Sequence, residues 1–160
     1  MSDPMIRPAT VADVHLVLAF IRELAEYERL SHLVVADEAA LRESLFGARP
    51  AAEALLAFAG GVPVGFAVFF HNFSTFLGVK GLWLEDLFVR PEHRKRGYGK
   101  ALLLALARIA HERGCGRFEW AALDWNTPAW DFYKGFGAVP LEDWTMFRVT
   151  GEALERMARM

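Results

Sequence analysis

The chain has 160 residues, of which 54% are hydrophobic, 13% aromatic and 24% charged, and its formal net charge is −2. This composition excludes an intrinsically disordered chain, which needs low hydrophobicity and high net charge, and the length predicts one domain over residues 1–160. No apolar run approaches the roughly 20 residues of a membrane span. With Cys115 as its one cysteine, the chain cannot form an internal disulfide, so we expect a cytoplasmic protein that does not bind membranes.

In chain order, apolar runs predict six strands, and helical spacing of apolar residues predicts five helices. The predicted strands are Ile6–Arg7, Ala54–Ala59, Val62–Phe70, Leu82–Val89, Phe118–Leu123 and Trp144–Val149. The helices are expected after the Thr10 and Asp13 cap pair, from Asp37 to Gly47, through Leu102–Ala110 up to Gly114, from Thr127 to about Gly137, and after Thr150. The pair Gly60-Gly61 indicates a tight hairpin. This order predicts a mixed α/β fold in which hairpins precede a strand–helix–strand unit.

Basic residues are concentrated between Arg90 and Lys100, where five of them accompany one acid, so this segment carries +4 and the rest of the chain −6. Gly97 and Gly99 allow the backbone to approach a ligand, and the following helix start adds N–H donors. The pattern therefore predicts a cradle for a pyrophosphate. On spacing alone, a solvated basic turn that caps a helix is an equally good interpretation. The short segment offers few phosphate contacts, so we expect no nucleic-acid binding.

A second segment, Asp124–Gly137, places Ala129 and Tyr133 four residues apart on one face of a short helix. Taken alone, a tyrosine on an apolar helix is more often a core residue than a catalytic one, and Asn126 is typical of a turn or cap. No metal is expected, because the five histidines lack ligand spacing. They are His15, His32, His71, His93 and His111.

These two segments together resemble the GNAT acetyltransferases. Arg94-Lys95-Arg96-Gly97-Tyr98-Gly99 matches the superfamily's R-x-x-G-x-G signature, and Asn126-x-x-Ala129…Tyr133-x-x-x-Gly137 resembles its second acyl-CoA motif. Four further segments resemble the diamine (spermidine/spermine) acetyltransferases: Ile6-Arg7-Pro8-Ala9-Thr10, Glu23-Leu24-Ala25-x-Tyr27-Glu28, Leu84-Glu85-Asp86-x-Phe88-Val89 and Phe132-Tyr133-Lys134. The resemblance implies a GNAT fold, in which a mixed sheet of about six to seven strands is splayed at the acetyl-CoA site and flanked by four to five helices. It also implies a homodimer.

The resemblance implies acetyl-CoA as co-substrate, Tyr133 as the general acid for the departing thiolate, and Glu85 as the carboxylate that deprotonates the amine. We expect Glu85 to be partly buried between apolar neighbours, which would raise its pKa. The implied cofactor-binding residues are Leu87, Phe88, Val89, Arg94, Lys95, Arg96, Gly97, Tyr98, Gly99, Lys100, Asn126 and Ala129. The implied substrate-binding residues are Tyr27, Glu28, Glu85, Glu119, Trp120 and Asp143, with Glu142 as the alternative to Asp143.

The function expected from these residues is direct acetyl transfer to a primary amine of a small cationic substrate, either a di- or polyamine or a thialysine-like amino acid. A non-catalytic acyl-CoA-binding module with the same fold is the alternative. The presence of both Tyr133 and Glu85 favours the enzyme, because a sensor does not need a positioned acid and base.

Overall fold

The computed structural model describes residues 4–160, which form two compact units, residues 4–121 and 122–160. The first unit contains five strands: β1 (Met5–Pro8), β2 (Glu53–Ala59), β3 (Val62–Ser74), β4 (Val79–Val89) and β5 (Phe118–Trp120). Its helices are α1 (Val14–Tyr27), α2 (Glu38–Phe46) and α3 (Tyr98–Glu112). The second unit contains α4 (Thr127–Lys134) and α5 (Gly151–Ala158). No helix in the described part of the chain is long and apolar enough to span a membrane.

The five strands form one mixed sheet in the order β1-β2-β3-β4-β5. Neighbouring strands from β1 to β4 are antiparallel, whereas β5 is parallel to β4 because α3 connects them as a crossover. The two-residue turn between β2 and β3 has positive φ at both Gly60 (54°) and Gly61 (84°), which is the geometry that a tight hairpin requires. The mixed α/β fold and the hairpin are thus confirmed.

Helices cover both faces of this sheet. On one face, α1 and α2 pack against alternate residues of the strands, in a buried cluster that joins Val17, Phe20, Leu24, Leu45, Ala54, Leu56, Phe58, Phe66 and Phe88. The opposite strand residues, such as Leu55 and Phe69, are also buried, and α3 packs on that second face through Leu102 and Leu106. A sheet that is buried on both sides explains why its strands appear in the sequence as continuous apolar runs.

The first unit is also fixed by local polar contacts. The Asp37 carboxylate accepts from the Ala40 N–H at 2.8 Å and caps α2, as its position predicts. Asp13 accepts from the Thr10 N–H at 2.8 Å and forms two hydrogen bonds with Arg7, at 2.7 and 3.0 Å. The guanidinium of Arg7 holds the pKa of the Asp13 carboxyl well below its usual range. These bonds connect β1 to the start of α1.

Two sequence predictions about strands were wrong. Residues 144–149 do not form a strand, so the described part of the sheet has five strands instead of six to seven. The side chains of Trp144 and Phe147 are 79% and 89% exposed, so the alternating apolar pattern of this segment has no sheet to pack on within its unit. The predicted strand Phe118–Leu123 ends at Trp120, because its pairing with β4 stops at Leu84. The helix predicted after Thr150 is confirmed as α5.

Candidate active site

The sheet opens between β4 and β5. Within residues 4–160, β5 pairs with β4 only at Leu82–Leu84, whereas β4 continues to Val89. From Asp86 to Val89, β4 is therefore paired with β3 alone. The sequence predicted a splayed sheet at the end of this strand, and the register confirms it. The predicted pantetheine-binding residues, Leu87–Val89, lie along this open edge.

A β-bulge occurs at the point where the two strands separate. Val68 of β3 lies opposite Asp86, but its neighbour Phe69 lies opposite Leu84, so Glu85 is an extra residue in β4. In a regular strand, Glu85 and Asp86 would point to opposite faces of the sheet. The extra residue changes this alternation. Leu84 consequently faces α3, whereas Phe88, on the other side of the bulge, belongs to the cluster beneath α1.

Glu85 lies on the α1 face and is held by a neighbour on its own strand. The indole Nε1 of Trp83 donates to Oε2 of Glu85 at 2.9 Å. The prediction that Glu85 is partly buried was wrong, because its side chain is exposed. Its apolar neighbours in sequence do not enclose it, because Leu84 is buried on the α3 face, whereas Glu85 lies on the α1 face.

The less exposed carboxyl of this pair is Asp86, which is half-buried. Burial, followed by the charges of Glu85 and Glu28, raises the pKa of Asp86 to about 6. Glu28, which follows the last residue of α1, is half-buried, and its desolvation raises its own pKa. Three carboxylates from two elements thus act on one another beside the open edge of β4.

A fourth carboxylate, Glu119, lies on β5. It pairs with Trp83 across the parallel ladder, and its Oε1 lies 3.5 Å from Nδ2 of Asn72 on β3. Its neighbour Trp120 packs against Phe118, with ring centroids 4.9 Å apart. We call Glu28, Glu85, Asp86 and Glu119 the acidic face. Five of the predicted substrate-binding residues belong to the first unit: Tyr27 and Glu28 at the end of α1, Glu85 on β4, and Glu119 and Trp120 on β5.

Residues 94–100, which include the end of the connection from β4 and the first three residues of α3, are called the basic loop. Gly97 immediately precedes the first residue of α3 and has φ of 88°, and Gly99 lies in the first turn. The expected position of both glycines at a helix start is therefore confirmed. The first N–H groups of a helix have no partner within it and form an anion-binding site. A Cβ at Gly97 would meet no atom within 4 Å, so the left-handed backbone, and not crowding, requires glycine here.

Not every basic residue between Arg90 and Lys100 is available to bind a ligand. Arg90 forms hydrogen bonds with Glu23 of α1, at 2.9 Å from Nε and 2.8 Å from Nη2, and donates to the Pro63 carbonyl. Lys95, Arg96 and Lys100 are exposed. Tyr98 is buried and packs edge-on against the His93 ring. A phosphate group at the loop would therefore meet backbone donors and the exposed cations, whereas Arg90 and Tyr98 serve packing.

Arg94 connects the basic loop to the acidic face. Its Nε donates to the Val89 carbonyl at 2.9 Å. Its guanidinium carbon lies 4.5 Å from the Tyr27 ring centroid and 5.5 Å from that of Phe88. The residue predicted to bind the cofactor is thus in contact with one predicted to bind the amine.

The remaining predicted site residues belong to the second unit. Asn126 precedes α4, and its carbonyl accepts from the N–H groups of Ala129 and Trp130, at 3.1 and 3.2 Å. Tyr133, near the end of α4, packs against Phe132 with ring centroids 5.4 Å apart. Asp143 lies in an exposed turn before residue 144. The catalytic and binding roles of these residues remain predictions.

Sequence reasoning assigned no role to Trp83 or Asp86. The acidic pair at Glu85 and Asp86 was a visible signal, but a strand pattern assigns neighbouring residues to opposite faces, and only the register with β3 reveals the bulge. Among the described residues, no group of three His, Cys, Asp or Glu side chains is arranged to hold a metal ion.

Comparison with known proteins gives one consistent family. The model of the acetyltransferase (GNAT) family matches residues 19–138. A thialysine N-epsilon-acetyltransferase of Bos taurus is 40% identical over 169 residues, covering 99% of each chain. An L-ornithine N5-acetyltransferase of Arabidopsis thaliana is 32% identical over 97% of this chain and 88% of its own. Among solved structures, an integron cassette protein from the mobile metagenome of V. cholerae superposes with a TM-score of 0.81 at 27% identity, over the full length of both chains.

Proposed function

Because the chain belongs to the acetyltransferase (GNAT) family and is an N-acetyltransferase, we propose that it moves the acetyl group of acetyl-CoA directly onto a primary amine of a small cationic substrate. The observation that carries this proposal is the acidic face beside the open edge of β4. Carboxylates in this position attract an ammonium group and can accept its proton. An amino acid with a side-chain amine is the favoured substrate class, because the relatives named above act on thialysine and ornithine.

For acetyl-CoA, the family implies the co-substrate, and the basic loop supplies groups that suit its pyrophosphate. The backbone at Gly97–Lys100 offers N–H donors at the positive end of α3, and Lys95, Arg96 and Lys100 add exposed positive charge. Leu87, Phe88 and Val89 on β4 are proposed to bind the pantetheine arm, with Asn126 and Ala129 contributing from the start of α4.

Tyr133 is proposed as the general acid. When the C–S bond of the thioester breaks, the CoA thiolate needs a proton, and a phenol remains protonated at neutral pH. Trp120 and Asp143 complete the proposed substrate contacts. A single domain of residues 1–160 is part of the proposal, supported by a family match that continues past residue 121, where the first unit ends.

A cytoplasmic homodimer without affinity for nucleic acid or membranes completes the proposal. The lone Cys115 suits a reducing compartment. The basic loop presents three exposed cations, which is few for a nucleic-acid interface.

The decisive experiment measures thiol release from acetyl-CoA with a panel of amines: thialysine, ornithine, lysine, spermidine and an uncharged monoamine. Mass spectrometry of the products identifies the acetylated nitrogen. We expect the cationic amino acids and polyamines to react well and the monoamine poorly. Acetyl-CoA binding without thiol release on any amine would instead establish the alternative, a non-catalytic acyl-CoA-binding module.

Tyr133→Phe tests the proposed acid. Only the hydroxyl is lost, so the affinity for acetyl-CoA should stay near that of the wild type, while kcat should fall by about 10²–10⁴-fold. Isothermal titration with acetyl-CoA provides the binding control. If kcat is unchanged, Tyr133 is a packing residue and the acid lies elsewhere.

A further inference from the structure

Glu85 and Asp86 are adjacent carboxylates on one strand, but their surroundings differ. We propose that Asp86 is the catalytic base that takes the proton from the substrate ammonium, and that Glu85 binds this ammonium without accepting its proton. This inference rests on the proposed acetyltransferase function and divides two tasks that the sequence assigned to Glu85 alone.

The bulge makes the division possible. Asp86 is two residues before Phe88, whose ring is buried beneath α1, so regular alternation places Asp86 on the α1 face as well. Its cross-strand partner, Val68, packs against the same buried cluster. The hydrogen bond from Trp83 holds Glu85 on this face too. Both carboxylates therefore lie where β4 has lost its pairing with β5, one against the core and the other toward solvent.

Glu85 has the features of a binding residue. Its carboxylate is exposed, and one oxygen is oriented by the Trp83 indole at 2.9 Å. A fixed, charged group with a second oxygen available for hydrogen bonding is well suited to orient an ammonium group.

Asp86 has the features of a base. Burial and the neighbouring charges of Glu85 and Glu28 raise its pKa to about 6, close to the pH at which a base works best. Two further charged groups lie on neighbouring segments: Glu119 on β5, opposite Trp83, and Arg94, whose guanidinium lies over the ring of Phe88. On β3 its partner is the aliphatic Val68. The negative charges of Glu85 and Glu28 favour the protonated form of Asp86, which is the form that results when it accepts a proton.

The substrate ammonium loses two protons during the reaction, and one of them is released to solvent. The ammonium nitrogen gives one proton to the Asp86 carboxylate, and its lone pair forms the C–N bond with the acetyl carbon. The C–S bond breaks, and the CoA thiolate takes the phenolic proton of Tyr133. The second proton of the nitrogen then restores Tyr133, and Asp86 releases its proton to solvent. The products are the N-acetyl amine, CoA thiol and one proton.

The test is the pH profile of kcat/KM for the preferred amine, from pH 5 to 9. The wild type should lose activity below an apparent pKa near 6. Asp86→Asn should lower kcat/KM at pH 7 by about 10²–10⁴-fold and abolish this acid limb, while Asp86→Glu should restore a limb. Glu85→Gln should retain the limb but move it to lower pH, because the charge that raises the pKa of Asp86 is gone, and its main effect should be a higher KM for the amine.

The pH profiles of the variants show which carboxylate is the base. An acid limb that persists in Asp86→Asn and disappears in Glu85→Gln assigns the base to Glu85 and overturns the inference. If Asp86→Asn fails to fold, Glu28→Gln replaces it: the limb should move to lower pH if it belongs to Asp86, and a limb that stays in place or disappears overturns the inference. A wild-type protein that releases no thiol with any amine refutes the proposed function itself, which is a separate result.

Discussion

The basic loop and the acidic face are built in opposite ways. The loop is continuous in sequence, and its donors are backbone N–H groups at the start of α3, supported by exposed cations. The face is assembled from the end of α1, from β4 and from β5, and it consists of side chains. In such an arrangement, a change of backbone conformation should damage the loop most, whereas the loss of one carboxylate should damage the face most.

The largest expected effect is on stability and concerns Asp86. A folded-state pKa of about 6 lies above the usual value of 3.8, so the folded protein holds this proton more tightly than the unfolded chain does. The stabilisation that protonated Asp86 adds to the free energy of unfolding is therefore lost as pH rises from about 4 to about 6. Asp86→Asn should be more stable than the wild type at pH 7–8 by about 3 kcal/mol, and about equally stable near pH 3.5, as measured by urea unfolding.

Asp13→Asn is the matched control, with the opposite sign. Arg7 lowers the pKa of Asp13, so the stabilisation by this carboxylate is present above its unfolded pKa and is lost as pH falls toward its folded pKa. Asp13→Asn should therefore destabilise the protein at pH 7 and affect it less in acid. If both variants destabilise the protein equally at pH 7, Asp86 is an ordinary structural carboxylate.

The second effect concerns the loop. Gly97→Val places a β-branched residue at φ of 88°, which costs about 1–2 kcal/mol. We expect the basic loop to relieve this strain by changing its backbone conformation. The KM for acetyl-CoA should rise about tenfold, with the KM for the amine nearly unchanged. Gly114→Val is the control, since Gly114 has φ of 70° just after the other end of α3. It should lower stability and leave both KM values unchanged. A rise in both KM values in both variants would indicate a general loss of folded protein.

The same contrast explains what the sequence could predict. The loop, its two glycines and the helix after it follow from neighbouring residues, and the structure confirms their positions. The acidic face depends on where a strand meets its partner. Glu85 and Asp86 are visible as an acidic pair, but their shared face follows from the extra residue opposite Val68 and Phe69, which no local pattern indicates. The sequence therefore predicted the carboxylates but not which of them is the less exposed.

Residues 144–149 show the opposite case, a strand that the sequence predicts and the structure lacks. Alternation of apolar side chains indicates that a segment can form a strand, but the strand itself requires hydrogen bonds from a neighbour. In the second unit this segment is irregular, with Trp144 and Phe147 largely exposed. The apolar alternation of residues 144–149 shows only that they could pair as a strand. Whether a neighbouring strand is present depends on the folded sheet.

A smaller effect is expected from one carboxylate of the face. Glu28→Gln removes a charge that acts on Asp86, and a partly exposed ion pair is worth up to about 1 kcal/mol. The KM for the amine should rise roughly fivefold, and the KM for acetyl-CoA should hardly change. Glu26→Gln, at an exposed position two residues earlier, is the matched control. High salt should raise the amine KM of the wild type more than that of Glu28→Gln, and equal salt dependence would contradict the role of Glu28.

The smallest expected effect concerns the contact between the two regions. Arg94→Lys keeps the positive charge but loses the Nε–H bond to the Val89 carbonyl and the stacking on Tyr27. Because an exposed cation–π contact is worth about 0.5–1 kcal/mol, both KM values should rise about threefold. Lys95→Gln, on the exposed side of the loop, should raise only the KM for acetyl-CoA. Tyr27→Leu removes the same ring contact, so its effect on the amine KM should not add to that of Arg94→Lys. Fully additive effects would show that the loop and the face bind their substrates independently.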